Sequence, residues 1–349
     1  ESGLNWNNLF LFDPNFGFFP VSAINGGFGL TPGMTTRPFS QDNTFSSHEM
    51  QFISDFEGDL NFIAGLYYYN SDEKQTLSFI ESNDQLMATY QAYAAFILGG
   101  APVSTENFLF DGEAALETTS YAAYGQMKWD WTDQTVLTFG LRYSYDEKEG
   151  TDRTFVQYVG DPGQRKADDN WDRVTWRLGV DHALSDNHFL YGFIATGYRS
   201  GGFNLMAPTS TLDVDSVDPE ELLSYEVGYK GQLLDNRVNL SSSLYYYDYT
   251  DLQVLKTDII NGVSVPTFEN ASNATAWGFE TEVMALVTDN LTLSAAYSYN
   301  NSEYEDFESA DSNACAVGPL AQDNSLSPLC TQTQDLSGNQ FLLSPEHKA

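Results

Sequence analysis

The feature that most limits what this chain can fold into is a period-two alternation of apolar and polar residues, recurring in long segments rather than in short sandwich-like strands. In Val136–Tyr145 one face carries Leu137, Phe139, Leu141, Tyr143 and Tyr145, and the other Thr138, Gly140, Arg142 and Ser144. Leu291–Asn300 repeats the pattern, with Leu291, Leu293, Ala295, Tyr297 and Tyr299 opposite Thr292, Ser294, Ser298 and Asn300. In Arg173–Asp181, Val174, Trp176, Leu178 and Val180 oppose Arg173, Thr175, Arg177 and Asp181. Each such strand has one oily face and one wet face. Ten are expected, near 44–54, 60–70, 117–130, 135–146, 170–182, 188–198, 221–232, 237–248, 274–287 and 291–302, with an eleventh beginning at about Pro345.

The connections between these strands alternate in length. Short ones occur at 55–59, 132–134 (TDQ), 185–187 (SDN), 235–236 (DN) and 288–290 (TDN), all built from residues that tolerate tight hairpin backbones. Long polar connections lie at roughly 71–118, 147–168, 199–219, 251–270 and 303–345. A soluble β-sandwich has no reason to send every second connection out as an excursion. A transmembrane β-barrel does, because its turns are short on one side of the membrane and its loops long on the other. The fold class expected is therefore all-β, an antiparallel transmembrane β-barrel, with Trp129, Trp131, Tyr245 to Tyr247 and Tyr249 forming the interfacial aromatic girdles. Residues 1–43, rich in Gly, Pro and Phe, read as a loop-rich segment rather than a strand pair, and 44–349 as barrel wall. Asp84–Leu98, capped by Asn83 or Asp84, suits a short helix within the first long loop.

Composition narrows the function. The 349 residues hold 15 Lys+Arg against 49 Asp+Glu, a net charge of −34, which repels phosphate backbones and argues against a nucleic-acid partner. With 24 Phe, 21 Tyr and 6 Trp the chain is too aromatic for an acidic disordered segment. No apolar run approaches the roughly 17–25 residues of a spanning helix, and no signal peptide is visible after Glu1. The two cysteines, Cys315 and Cys330, sit in a polar stretch, where their spacing suits a loop-closing disulfide; two free thiols are the alternative.

Four motifs in order resemble the C-terminal barrel of the TonB-dependent outer-membrane receptor family. They are Tyr191–Asn204 (YGFIATGYRSGGFN), Asp218–Lys230 (DPEELLSYEVGYK), Leu234–Val254 with its Tyr-rich strand, and Asn270–Val287 with its Trp-Gly-Phe-Glu run. The resemblance implies a barrel of about 22 strands with a plugged lumen, of which this chain supplies ten or eleven. The family's plug domain, TonB box and aromatic-terminated last strand are expected to be absent from this chain. It further implies residence in the outer membrane of a Gram-negative bacterium, among lipid and lipopolysaccharide, with energy supplied by the TonB–ExbB–ExbD complex. The expected function is uptake of a scarce, bulky nutrient, a ferric siderophore by default; a passive porin-like channel and an importer of glycans are the alternatives. Independently of the family, Gly197, Gly201 and Gly202 suit a strand leaving the membrane, and Glu226, Lys230, Glu280 and Glu282 fall on the wet face.

Other chemistry finds little support. His48, His182, His188 and His347 sit in unrelated positions and no GxSxG or HExxH frames them, so no enzyme activity and no cofactor are expected. Asp213, Asp215 and Asp218 with Glu220 and Glu221 lack the Gly of a calcium loop and read as a solvated acidic loop. The 303–345 connection holds seven acids and no Lys or Arg, which favours neutral, cationic or metal-bridged ligands. Candidate ligand contacts are Tyr198, Arg199, Phe203 and Asn204, with a purely structural role at the strand-to-loop junction as the favoured alternative.

Overall fold

The computed structural model describes residues 38–81, 108–156, 163–206, 214–260, 263–270, 273–310 and 333–348, together with 10–13, 17–20, 35–36 and residue 88. Ten long strands form one antiparallel meander: β1 (Phe39–Ile53), β2 (Leu60–Glu81), β3 (Phe108–Thr132), β4 (Thr135–Val156), β5 (Arg165–Ser185), β6 (His188–Arg199), β7 (Glu220–Leu233), β8 (Val238–Thr250), β9 (Ala274–Thr288) and β10 (Leu291–Tyr304). A two-residue β11 (His347–Lys348) pairs with Tyr299 and Ser298 at one edge, where the eleventh strand was expected. At the other edge Thr35–Thr36 continues the pairing of β1 along β2.

The short turns share a chemistry. Thr132, Ser185 and Thr288 each precede an Asp, and each hydroxyl accepts from the backbone N–H two residues on, of Gln134 at 3.2 Å, Asn187 at 3.4 Å and Asn290 at 3.3 Å. A register shift lies beside each of these turns, so the extra residue tightens the local twist and closes the hairpin. The fourth turn uses left-handed backbone at Leu234, Asp235 and Asn236, with φ of 54°, 54° and 63°.

The alternation sorts the sheet into two faces. Leu66, Leu141, Val227, Leu244 and Leu293 are all about half exposed on one face, and Trp129 and Trp131 join them near the turns. The other face carries Gly, Ser, Tyr, Arg and Glu. Among the described residues buried apolar side chains are few; one cluster joins Ala274, Tyr304 and Phe307, with Phe341 packed against it, at the loop end. Such a wall holds together through its backbone ladder, and its apolar belt requires a hydrocarbon surround.

Three elements differ from what the sequence predicts. First, β2, β3, β4 and β5 run well into the connections expected as loops; the extensions of β2, β4 and β5 are largely polar on both faces and keep their ladder without the alternation that reveals a strand, whereas residues 108–116 of β3 are apolar along one face. The connection at 251–270 likewise pairs as Gln253–Ile260 with Val263–Asn270. Second, the stretch expected as loop at 1–43 contains an antiparallel pair, Phe10–Asp13 with Gly17–Pro20, and β1 begins at Phe39 rather than 44. Third, the tyrosine run does not form one girdle. Tyr246 faces the apolar side beside Tyr225, whereas on the polar face Tyr245 and Tyr247 stack with 4.9 Å between their rings and Tyr249 meets Tyr247 edge-on, since consecutive strand residues must alternate. The helix expected over Asp84–Leu98 and the pairing of Cys315 with Cys330 lie outside the described residues, Ala88 excepted.

Candidate ligand-facing site

At the loop end, the segment after β6 folds inward over the polar face of β4 and β5. Phe203 packs on Trp171 with centroids 6.0 Å apart, and its ring comes within 3.1 Å of where a Cβ on Gly150 would stand. Lys148 donates to the Gly201 carbonyl at 2.6 Å and lies 5.6 Å above the Trp171 ring. Lys148 stands fourteen residues beyond Gln134, past the roughly 9–11 residues a spanning strand needs. Burial pushes its ammonium below the usual lysine range; Asp146 opposes this and Arg199 adds to it. Beneath the fold, Arg165 and Asp152 form a buried pair, with Nε to Oδ1 at 2.7 Å, and Asp152 also accepts from the Met206 N–H at 2.5 Å.

Three side-chain amides clip this segment to its neighbours. Asn204 donates to the Phe268 carbonyl at 2.8 Å and accepts from the Phe268 N–H at 2.7 Å. Gln253 donates to the carbonyls of Ser200 and Asp218 at 3.0 and 2.9 Å. Asn270 accepts from the Asp218 N–H at 2.7 Å and donates to the Asp218 and Asp251 carbonyls, each at 2.8 Å. Loop segments far apart in sequence are thereby fixed as one body.

Below the loops the polar face divides into two arcs. On β2 to β5 it presents Tyr67, Tyr124, Arg142, Arg173 and Arg177, and a recess of about 410 Å³ there is lined by Tyr67, Ser120, Arg142, Asp146, Thr175 and Tyr198. On β6 to β9 it presents Tyr191, Glu226, Lys230, Tyr245, Glu280 and Glu282, with the Tyr191 hydroxyl donating to Glu226 at 2.7 Å and Tyr245 to Asn300 at 2.9 Å.

The four candidate ligand contacts are all brought to this end of the wall, each with a protein partner. The Tyr198 hydroxyl donates to Asp146. Arg199 approaches Glu220 at 3.8 Å with its side chain 59% exposed. Phe203 lies on Trp171, and Asn204 holds Phe268. Of the acidic loop, Glu221 pairs with Arg173 at 2.7 Å and Glu220 accepts from the Gln253 N–H at 2.9 Å, while Asp213 lies outside the described residues. Among the described residues no three His, Cys, Asp or Glu side chains gather to hold a metal. Sequence reasoning passed over Trp171, Gln253 and Asn270, whose roles depend on contacts between segments up to 53 residues apart. It placed Arg142, Arg173 and Arg177 on the wet face without marking them as a group; their place on one face of adjacent strands was the available signal.

A wall with an apolar belt outside, a polar face inside, short turns at one end and interlocked loops at the other is part of a transmembrane β-barrel of the receptor type. The family described as "TonB dependent receptor-like, beta-barrel" matches residues 2–349, and the chain belongs to the TonB-dependent receptor family. It is 30% identical over 165 residues to the pesticin receptor of Yersinia enterocolitica, covering 46% of this chain and 23% of that protein. It is 25% identical over 243 residues to the probable TonB-dependent siderophore receptor PiuA of Acinetobacter baumannii, covering 68% and 29%. Among solved structures, the ferric yersiniabactin uptake receptor FyuA from Yersinia pestis superposes with a TM-score of 0.62 at 21% identity, over 77% of this chain and 37% of that one. The siderophore receptor PiuA from Acinetobacter baumannii gives 0.57 at 19%, over 93% and 45%. The matched part thus spans less than a third of these curated relatives and less than half of these solved chains.

Proposed function

We propose that this chain forms about half the wall of an outer-membrane importer that takes up a ferric siderophore with energy drawn through TonB–ExbB–ExbD. In this reading the apolar belt meets outer-membrane lipid and lipopolysaccharide of a Gram-negative bacterium, the interlocked loops face outward, and the polar face lines the path of the ligand. No covalent bond is made or broken. The observation that carries the reading is the pairing of family membership with an inner face furnished with arginine and tyrosine side chains, suited to a large polar chelate. The relatives named as siderophore receptors support the same substrate class.

The test is uptake of radioactive iron by iron-starved cells carrying the full-length receptor. Uptake that needs the receptor and stops when TonB is deleted or the proton gradient collapsed is the expected result. Ligand-independent diffusion of small sugars through the purified receptor in liposomes, with no TonB requirement, would replace this reading with a passive channel. TonB-dependent uptake of oligosaccharides without iron would replace it with a glycan importer.

A further inference from the structure

In a chain with 49 acidic and 15 basic residues, arginines facing a common lumen should be neutralised by carboxylates. On the inner face three of the acids are instead bonded to hydroxyls. Asp146 accepts from Ser120 and Tyr198, Glu226 accepts from Tyr191 at 2.7 Å, and Glu49 accepts from Tyr124 at 2.5 Å. Arg142 and Arg177 have no carboxylate in direct contact among the described residues, although the Glu49 charge acts on Arg142 from a distance. The Arg142 Nε donates to the neutral Ser144 hydroxyl at 2.9 Å, and its guanidinium lies 5.5 and 5.7 Å from the Tyr67 and Tyr124 rings. The Arg177 guanidinium lies 3.7 Å from the Phe193 ring centroid. Neither makes an ion pair among the described residues.

The register brings the two together. Arg142 faces Thr175, and Gly140 faces Arg177, so the arginines occupy diagonal positions on adjacent strands, with Gly140 and Thr175 on the opposite diagonal. Arg173, opposite Ser144, completes the row; its Nε is buried without a hydrogen-bond partner although its Nη2 reaches Glu221. Aromatic rings hold the guanidinium planes, with the Arg142 Nε spent on Ser144, and a guanidinium edge matches a carboxylate through two parallel hydrogen bonds.

We infer that Arg142 and Arg177, with Arg173 at their margin, form an anion site on the inner wall that recognises free carboxylate groups of the transported ligand. The inference rests on the importer reading for its cargo and makes it specific: the chelate carries exposed carboxylates. It also separates the two ends of the path, because the acidic 303–345 connection repels such a ligand that the inner wall attracts.

The test uses the full-length receptor in detergent and an iron-free tricarboxylate, propane-1,2,3-tricarboxylate, titrated by calorimetry. The R142Q/R177Q variant should bind it at least tenfold more weakly than the parent, and R142K/R177K should recover part of the loss, since charge returns without the planar fork. Heat-modifiable migration on a gel verifies that each variant is folded. Parent receptor that fails to bind the tricarboxylate, or binds it equally well after R142Q/R177Q, overturns the site. Unchanged binding accompanied by new leakage of small sugars in R142Q/R177Q also overturns it, and assigns the arginines to holding a lumen-filling protein segment. Arginine-dependent binding in a receptor that imports no iron keeps the site and removes the siderophore reading; iron import with arginine-independent binding does the reverse.

Discussion

The Asn204 carboxamide and the Phe268 peptide group bond in both directions, 2.8 Å from Nδ2 to the carbonyl and 2.7 Å from the N–H to Oδ1. The side chain thus acts as one more rung of a β ladder, joining the segment after β6 to the hairpin Gln253–Asn270. Asn204→Asp keeps the acceptor and loses the donor, setting a negative oxygen against the Phe268 carbonyl. The expected cost is about 1–3 kcal/mol, confined to the loop body. Hydrogen exchange should show faster exchange of the Phe268 amide in N204D than in the parent, with β8 and β9 amides unchanged.

The buried pair of Arg165 and Asp152 should behave asymmetrically. Arg165→Ala leaves the Asp152 carboxylate enclosed with the Met206 N–H as a remaining donor, and should cost about 3–5 kcal/mol of local stability. The double variant D152A/R165M removes both charges and should recover most of that loss. Limited proteolysis between β4 and β5, following the rate of cleavage, reads the order parent, double variant, R165A from slowest to fastest.

Much of this fold is legible in the sequence because a membrane wall is patterned by one rule. Leu137 to Tyr145 on one face and Thr138 to Ser144 on the other predict both the strand and its orientation, and the Ser/Thr-Asp-Asn/Gln turns predict its end. What was not legible lacks that rule. Residues 147–156 of β4 carry charge on both faces, so their strand state comes from pairing with β3 and β5 and leaves no period to detect. The Tyr245–Tyr249 run reads as one aromatic patch until alternation is applied to it. At the site, Asn204 and Phe203 were picked out by a motif; that their partners are Phe268 and Trp171 is a property of loops meeting in space, which no local pattern encodes.

Lys148 gives the loop fold a pH signature. Burial lowers its folded pKa below that of an exposed lysine, so between the two values the unfolded chain binds more protons than the folded one. Stability should therefore rise with pH through that window, as the penalty of enclosing an ammonium beside Trp171 is relieved, and level off above the unfolded lysine value. Below the folded value the penalty is constant. Lys148→Met removes the titrating group. The parent minus K148M difference in unfolding midpoint, followed by denaturant from neutral pH to about 10, should move in favour of the parent; a flat difference would mean the lysine stays fully solvated.

Two glycines should respond differently to the same methyl group. A Cβ on Gly228 would meet the Tyr191 ring at 2.3 Å, an obstacle at the far end of a side chain that can swing away. The cost of Gly228→Ala is then chiefly the Tyr191 to Glu226 hydrogen bond, about 1 kcal/mol, and it should vanish in a Tyr191→Ala background. A Cβ on Gly201 would lie 2.3 Å from the Val217 carbonyl oxygen and 2.4 Å from Trp171, where the nearest obstacle is backbone. Removing the ring by Trp171→Ala cannot relieve that contact, so Gly201→Ala should cost about 1–3 kcal/mol in either background. A double-mutant cycle for each pair, read by denaturant unfolding, should show near-complete coupling for Gly228 with Tyr191 and weak coupling for Gly201 with Trp171. Equal coupling in both would mean that the segment after β6 lies farther from Val217 than the Gly202–Val217 pairing places it.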